Sequence, residues 1–174
     1  MRIVVDMQGA QSTGNATRGI GRYSLAFAEA LLRNCGPHDV WIALNGNFPQ
    51  EAKQLRCEFA KKVTDSNIID YSVLKGICGL DPANRSRQIA SELIREAALA
   101  SVLPDFVHVS SLFEGPIDDC PTSIGEFDAS PRTSATLYAL IPMIFRETYP
   151  ANPQSALWYE RKLGHLCRSD PRFA

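Results

Sequence analysis

Two closely spaced glycines, Gly19 and Gly21 in the segment GIGRYS, follow an apolar run that ends at Asp6 and a long polar loop. Glycines at the start of a helix let the backbone approach an anion, because the free N–H groups and the helix dipole favour negative charge there. The segment therefore predicts a turn that holds a diphosphate without a metal clamp. The alternative interpretation is that both glycines only allow a tight turn and close packing.

Two common nucleotide motifs are excluded by the residues around this turn. The spacing of the glycines Gly9 and Gly14 fits a Walker loop. Asn15 and Ala16, however, occupy the positions where that loop has its lysine and its serine or threonine. A dinucleotide fingerprint would need a glycine at Ser24 and an acid after the second strand, where Asn45 stands. Neither an NTPase nor an NAD-binding protein is predicted.

The rest of the sequence gives little indication of a metal site or of a catalytic acid–base pair. The three histidines lie in separate elements without the further ligands that zinc needs, and the five widely spaced cysteines indicate reduced thiols. Asp118 and Asp119 are adjacent acids in a proline-rich turn, which is typical of a solvated tip. His108, inside an apolar strand, is predicted to be buried and hydrogen-bonded. No metal site is expected.

The composition indicates one ordinary globular domain. The 174 residues are 45% hydrophobic and 21% charged, with a net charge of -1, which argues against an extended nucleic-acid interface. No segment approaches the roughly 20 apolar residues of a membrane span, and the amino terminus lacks a secretory pattern. We expect a cytoplasmic protein that does not bind nucleic acid.

Strand and helix patterns alternate along the chain, which indicates an α/β fold with a mostly parallel sheet and helices on both faces. The strands are predicted at 3–6, 40–45, 66–71, 106–111 and 133–142, and the helices at 20–34, 50–62, 85–103 and 152–167. Ligands of such sheets bind beyond the carboxyl ends of the strands. The site is therefore expected around Asp6, Asn45, 110–115 and 138–142.

Apolar residues at helical spacing predict which face each helix buries. The predicted stripes are Ile20, Tyr23, Phe27 and Leu31 in the first helix, Ile89, Leu93, Ala97 and Ala100 in the third, and Tyr159, Leu163 and Leu166 in the last. Trp158 and Tyr159 could stack on a sugar ring, although aromatic residues on a helix more often belong to the core.

Four segments together resemble a known family. These are GIGRYS at 19–24, VHVSSLFEG at 107–115, TLYALIPMIF at 136–145 and WYERKLGHLCRSD at 158–170. In this order they resemble the amino-terminal half of retaining glycosyltransferases of family 4, which have the GT-B fold, and they are most similar to bacterial enzymes that build O-antigen mannans. The resemblance implies that residues 1–174 form one Rossmann-like, acceptor-side domain, and that the carboxyl-terminal donor-binding domain is absent from the chain.

The resemblance also implies roles for particular residues. In the first helix, the residues Gly19, Gly21, Arg22 and Tyr23 would form the loop near the donor diphosphate or sugar. Together with the expectation that ligands bind beyond the carboxyl ends of the strands, the resemblance implies an acceptor or sugar cleft that contains Asp6, Ser111, Glu114, Gly115, Tyr138 and Ala139. Ala139 departs from the family, which usually has an aspartate there to accept hydrogen bonds from sugar hydroxyls.

The function implied is transfer of a hexose such as mannose from a nucleotide-sugar donor such as GDP-mannose to a bacterial polysaccharide or lipopolysaccharide, without metal or other cofactor. The chain alone is expected to be inactive. Its expected partners are the missing donor-binding domain, a glycan or lipid-linked glycan acceptor, a second copy of itself, and the inner membrane surface as a peripheral contact. The alternative is a catalytically silent module that binds a glycan or a partner protein, which Ala139 and the missing half favour.

Overall fold

The computed structural model describes residues 1–138, 141–145, 147–148 and 152–169. These residues contain a five-stranded sheet in which every neighbouring pair is parallel, with the strand order β3-β2-β1-β4-β5. The strands are β1 (Arg2–Asp6), β2 (Asp39–Asn45), β3 (Ile68–Tyr71), β4 (Phe106–Val109) and β5 (Arg132–Ala135). The helices are α1 (Gly19–Asn34), α2 (Pro49–Phe59), α3 (Arg85–Ala100), α4 (Ile141–Ile144) and α5 (Pro153–Ser169), with short 3-10 turns at Gln8–Ala10, Asp65–Asn67 and Pro82–Asn84.

Helices cover both faces of the sheet, and each face has its own hydrophobic core. Val5 on β1 belongs to a cluster with Ala28 of α1 and Phe59 of α2. Its neighbour Val4 points to the other face and joins a cluster that includes Leu99 of α3 and Leu166 of α5. Alternate residues of a strand point to opposite faces, which is why adjacent valines serve separate cores. The predicted Rossmann-like α/β fold is confirmed.

The fifth strand is shorter than predicted. The pattern over 133–142 predicts a strand up to Pro142, but β5 ends at Ala135, and the short helix α4 contains that proline. Within the described ranges, β5 pairs only with β4, as an edge strand. Beyond it, the chain turns toward α1, where the Tyr138 hydroxyl lies 3.2 Å from Ser24 Oγ.

The buried faces of α1 and α3 differ from the predicted apolar stripes. In α1 the buried residues are Gly21, Ser24 and Ala28, whereas Tyr23 is 52% exposed. In α3 the buried face consists mostly of polar residues, namely Gln88, Ser91, Glu92, Arg95, Glu96 and Leu99. Small residues bring α1 close to the sheet. Partners from distant segments satisfy most of the buried polar residues of α3, whereas Ser91 Oγ has no partner in the described part of the chain. The stripe in α5 is partly right, since Tyr159 is buried, but its buried neighbours are Lys162 and His165.

Among the described residues, no helix is both long and apolar enough to cross a bilayer. The thiols of Cys35, Cys57, Cys78 and Cys120 are free, as predicted for these four.

Candidate substrate-binding site

The two glycines at the start of α1 have different environments. A Cβ atom on Gly21 would lie 2.1 Å from the carbonyl oxygen of Ala16, and the Gly21 N–H donates to the Asn15 carbonyl at 3.1 Å. Gly21 is therefore packed tightly against the preceding loop. Gly19 is exposed, and a Cβ atom there would meet nothing within 4 Å. Close packing thus accounts for Gly21 but not for Gly19.

The first turn of α1 leaves backbone donors available. The N–H groups of Gly19 and Ile20 have no acceptor among the described residues, and Arg18 at the N-cap makes no side-chain capping bond. Arg22 is exposed, and its guanidinium donates weakly to the Thr17 carbonyl at 3.5 Å. A helix start with free N–H groups and a nearby arginine can stabilise an anion.

Tyrosines border this helix start. The Tyr138 ring meets the Tyr23 ring edge to face with the centroids 5.6 Å apart, and its hydroxyl lies 3.2 Å from Ser24 Oγ. Burial raises the pKa of Tyr138, so its hydroxyl keeps its proton at neutral pH. The segment after β5 and the first turns of α1 therefore meet. Ala139, the other predicted residue here, lies outside the described residues.

Glu114 is fully buried beyond the carboxyl end of β4, in the loop that faces the β1–α1 loop. The side-chain amide of Asn15 donates to both of its carboxylate oxygens, at 3.1 and 2.9 Å. Burial raises the pKa of the Glu114 carboxyl, while the neighbouring side chains of Ser12, Asn15 and Ser111 oppose this shift. The carboxyl group can accept hydrogen bonds from a ligand hydroxyl or, when protonated, donate one.

Besides the hydrogen bonds between Asn15 and Glu114, a second set of hydrogen bonds, here called the Asp118 clamp, joins the β1–α1 loop to the loop after β4. Asp118 Oδ2 accepts from the hydroxyl of Ser12 at 3.0 Å and from the backbone N–H of Thr13 at 2.8 Å. Asp119 Oδ1 accepts from the N–H of Ile77 at 2.9 Å. The interpretation of this acidic pair as a solvated tip is therefore wrong, because both carboxylates hold backbone segments in place.

Two polar atoms near this clamp have no hydrogen-bond partner. Ser111 Oγ and Asp118 Oδ1 are both buried without one in the described part of the chain. A buried polar atom left without a partner costs roughly 1–3 kcal/mol. Ser111 is one of the residues predicted for the cleft.

Glycines allow the loops to approach each other closely. Gly9 N–H donates to Ser110 Oγ at 3.1 Å, and a Cβ atom on Gly9 would lie 2.7 Å from Ser24 Oγ. Gly115 has a φ of +86°, and a Cβ atom there would lie 2.1 Å from the carbonyl oxygen of Cys120. At Gly115 both the backbone conformation and the space require glycine.

Asp6 lies beneath these loops and is fully buried. Its Oδ2 accepts from Arg95 Nε at 2.9 Å and from Arg95 Nη2 at 2.5 Å, and Oδ1 accepts from the Tyr71 hydroxyl at 3.4 Å. The Gln8 side chain also donates to Oδ2, at 3.3 Å. These partners occupy the carboxylate, so Asp6 supports the β1–α1 loop from below. A direct contact of Asp6 with substrate stays a prediction.

The structure brings most predicted site residues to one edge of the sheet, in two groups. The first group is Gly19, Gly21, Arg22, Tyr23 and Tyr138 at the start of α1, and the second is Ser111, Glu114 and Gly115 after β4. Asn15 links the groups, since its backbone carbonyl accepts from Gly21 and its side chain donates to Glu114. The sequence does not predict this role for Asn15.

His108 lies beneath the site and is only 8% exposed, as predicted. Its Nδ1 is 2.8 Å from Ser134 Oγ, and its Nε2 is 3.2 Å from Thr136 Oγ1. Burial lowers the pKa of His108 to about 4, so the ring is neutral at physiological pH. Among the described residues, no three His, Cys, Asp or Glu side chains are grouped so that they could hold a metal ion.

Comparison with known proteins identifies relatives of the chain. It is 32% identical over 175 residues to a serotype-specific mannosyltransferase, WbdA, of Escherichia coli; the match covers 100% of this chain and 21% of the relative. Two further Escherichia coli proteins with the same name are 31% and 29% identical over 150 and 148 residues, and each match covers 84% of this chain and 18% of the relative.

No family model and no solved structure matches the chain. The chain spans about a fifth of the length of the curated relatives that it matches. The resemblance to glycosyltransferases that the four motifs predict is thereby confirmed: over its whole length, the chain is similar to a segment of a WbdA mannosyltransferase.

Proposed function

We propose that the chain is the acceptor-side domain of a retaining, family 4 glycosyltransferase with the GT-B fold. The complete enzyme would move mannose from a nucleotide-sugar donor such as GDP-mannose to a growing bacterial polysaccharide. The observation that carries this proposal is the 32% identity to a mannosyltransferase across all of the chain. The two groups of polar residues at the carboxyl edge of the sheet support it, because ligands of parallel sheets bind at that edge.

In this proposal the two groups serve different substrates. Glu114 and Ser111 exchange hydrogen bonds with hydroxyl groups of the glycan acceptor. The free N–H groups of Gly19 and Ile20 face the negative charge of the donor diphosphate, with Arg22 nearby. Charge on a departing diphosphate is stabilised by such preorganised donors. These residues bind and orient, and the chain by itself is inactive.

Exposed apolar side chains after β5 support the proposal that this segment contacts another domain. Leu137, Ile141, Ile144 and Phe145 are between 41% and 68% exposed. Exposed apolar groups that cluster along a chain often mark an interaction surface. We assign this segment to contact with the donor-binding domain of the complete enzyme. In its absence, the same surface would drive self-association of the chain, which sedimentation at increasing protein concentration would detect.

Saturation-transfer NMR tests the function with two probes, mannotriose and GDP-mannose. We expect saturation transfer to mannotriose, and a loss of this signal in Glu114→Gln with its fold retained. Glu51→Gln, at the start of α2 and outside the site, is the matched control and should bind as the unmodified chain does. A mannosyl-transfer assay with both probes should give no product.

Each other outcome changes the proposal in a defined way. Product formed by the chain alone would overturn its inactivity. Binding of neither probe would overturn the acceptor-domain assignment. Glycan binding that Glu114→Gln leaves unchanged would show that the glycan binds elsewhere, as expected for a catalytically silent module.

A further inference from the structure

A pocket opens between the start of α3 and the first half of α5. It has a volume of about 360 Å³, and its wall includes the segment 79–82 together with Arg85, Gln154, Leu157 and Trp158. Pockets for small ligands typically measure about 300–1,000 Å³. None of the residues in the two groups at the sheet edge lines this pocket, so it is a separate cavity.

An aromatic ring forms one wall of the pocket. Trp158 is half-buried, and a Cβ atom on Gly79 would lie 2.5 Å from its Nε1, so the absence of a side chain at Gly79 makes room for the indole. The Phe113 ring packs against the indole with the centroids 6.3 Å apart. Leu157 is 67% exposed. The wall is therefore flat and apolar, and its aromatic part is held in place.

Polar groups with free hydrogen-bonding capacity surround this wall. In the described part of the chain, the Arg85 guanidinium has no ionic partner and the Trp158 indole N–H has no acceptor. Arg161, in contrast, is fixed, because it donates to Gln88 Oε1 at 2.9 Å and pairs with Glu92. The pocket thus combines fixed polar groups with others that are available to a ligand.

The pocket adjoins the loop that carries Glu114. Gly79 N–H donates to the Gly115 carbonyl at 2.8 Å, and Leu80 N–H donates to the Pro116 carbonyl at 3.0 Å. The backbone of the pocket wall therefore runs beside the loop after β4. A ligand with several linked units could extend along this edge from one position to the other.

We propose that this pocket binds a sugar unit of an oligosaccharide, at a distance from the end that reacts. A pyranose ring has a face of C–H groups, which would stack on Trp158, and a rim of hydroxyl groups, which would exchange hydrogen bonds with Arg85 and Gln154. Asp81 also lines the pocket, so its charges are of both signs, which suits a neutral sugar better than a phosphate. This inference rests on the proposed function, since it names a subsite for the same acceptor.

Tryptophan fluorescence provides a direct test, because the chain has only two tryptophans. In the variant Trp41→Phe, Trp158 is the single reporter. Titration with mannotriose should change its emission with saturation. Adding Arg85→Ala should weaken the apparent affinity about tenfold or more, the effect of losing one hydrogen bond to a charged donor. Arg85 is exposed and unpaired in the described structure, so this change should leave folding intact.

Leu103→Ser, at a residue that is 81% exposed and outside the pocket, is the control and should leave the titration unchanged. If mannotriose binds by NMR while Trp158 emission and the Arg85→Ala affinity stay unchanged, the pocket proposal is wrong and the proposed function stands. If mannotriose does not bind at all, both fail. A larger, saturable response to GDP than to mannotriose would overturn the assignment of the pocket to sugar.

Discussion

The side chain of Asn15 donates to both carboxylate oxygens of Glu114, at 3.1 and 2.9 Å, across 99 residues of sequence. The backbone carbonyl of the same Asn15 accepts from Gly21 in the first turn of α1. One residue therefore connects the helix start, where a diphosphate is proposed to bind, with the carboxylate proposed to contact the acceptor. Its geometry sets the relative positions of the two groups.

Replacing Asn15 with alanine should loosen this connection. The loss of hydrogen bonds to a buried carboxylate should lower the free energy of unfolding by about 1–3 kcal/mol and raise the pKa of Glu114 further. Urea denaturation at pH 7 measures the first effect, and NMR titration of the carboxyl carbon measures the second. Asn34→Ala, which removes only an exposed bond to the Ala30 carbonyl, is the control. An unchanged Glu114 pKa in Asn15→Ala would contradict the hydrogen bonds from Asn15 to the Glu114 carboxylate.

Breaking the buried ion pair of Asp6 and Arg95 should lower the free energy of unfolding more than Asn15→Ala does. Both side chains are at most 1% exposed, and Arg95→Met would leave the Asp6 charge buried without its cation. Breaking such a pair costs about 3–5 kcal/mol. Asp6→Leu combined with Arg95→Met should be less destabilising than either single change, because no uncompensated charge remains. Denaturant unfolding of the three variants measures the coupling.

Arg33→Met is the matched control for that measurement. Arg33 pairs with Glu29 at 3.7 Å on the surface of α1, and its side chain is 61% exposed. Surface pairs of this kind contribute little. An effect of Arg95→Met as small as that of Arg33→Met would show that the buried pair does not stabilise the fold.

The positions of most elements could be predicted, but their buried faces could not. β1, β2 and β4 are short apolar runs, and the predicted bounds differ from the observed ones by two residues or fewer. The buried face of α3 escaped prediction because Arg95 and Glu96 are buried through their partners Asp6 and Ser123, 89 and 27 residues away. Hydrophobic periodicity contains no information about such partners.

The residues of the candidate site could also be predicted only in part. The pattern over 133–142 predicts Tyr138 inside the fifth strand, whereas it lies beyond β5, which ends at Ala135. Glu114 could be placed, because it follows β4 and the carboxyl ends of parallel strands meet at one edge. Asn15 and Asp118 could not, since their roles depend on how two loops of irregular conformation approach each other. Nothing in their sequence neighbourhood shows that Asp118 would meet Ser12, which is 106 residues away.

The two glycines of GIGRYS provide a paired test of the loop structure. Gly21→Ala would place a methyl group 2.1 Å from the Ala16 carbonyl oxygen, so the loop or the helix must move. We expect a loss of about 1–3 kcal/mol in stability, typical of overpacking. Gly19→Ala meets nothing within 4 Å and should change stability by less than about 0.5 kcal/mol. Thermal unfolding of both variants checks this, and equal effects would contradict the observed packing of Gly21.

His108 predicts a specific dependence of stability on pH. Burial lowers its pKa from 6.5 to about 4, so between these values the folded state holds the ring neutral while the unfolded chain binds a proton. Stability should therefore fall as the pH drops from about 6.5 to 4, by up to about 3 kcal/mol from this residue. His108→Gln, which retains a polar side chain beside Ser134 and Thr136, should remove this component.

The comparison must be made between variants at each pH, because other groups titrate in the same window. Glu114, whose pKa is raised by burial, acts in the opposite direction and stabilises the folded state as the pH falls. Its contribution cancels when the unfolding free energies of the unmodified chain and His108→Gln are subtracted. His38→Gln, at an exposed position before β2, is the control. A difference between the unmodified chain and His108→Gln that stays constant from pH 7 to pH 4 would show that His108 is not held neutral in the fold.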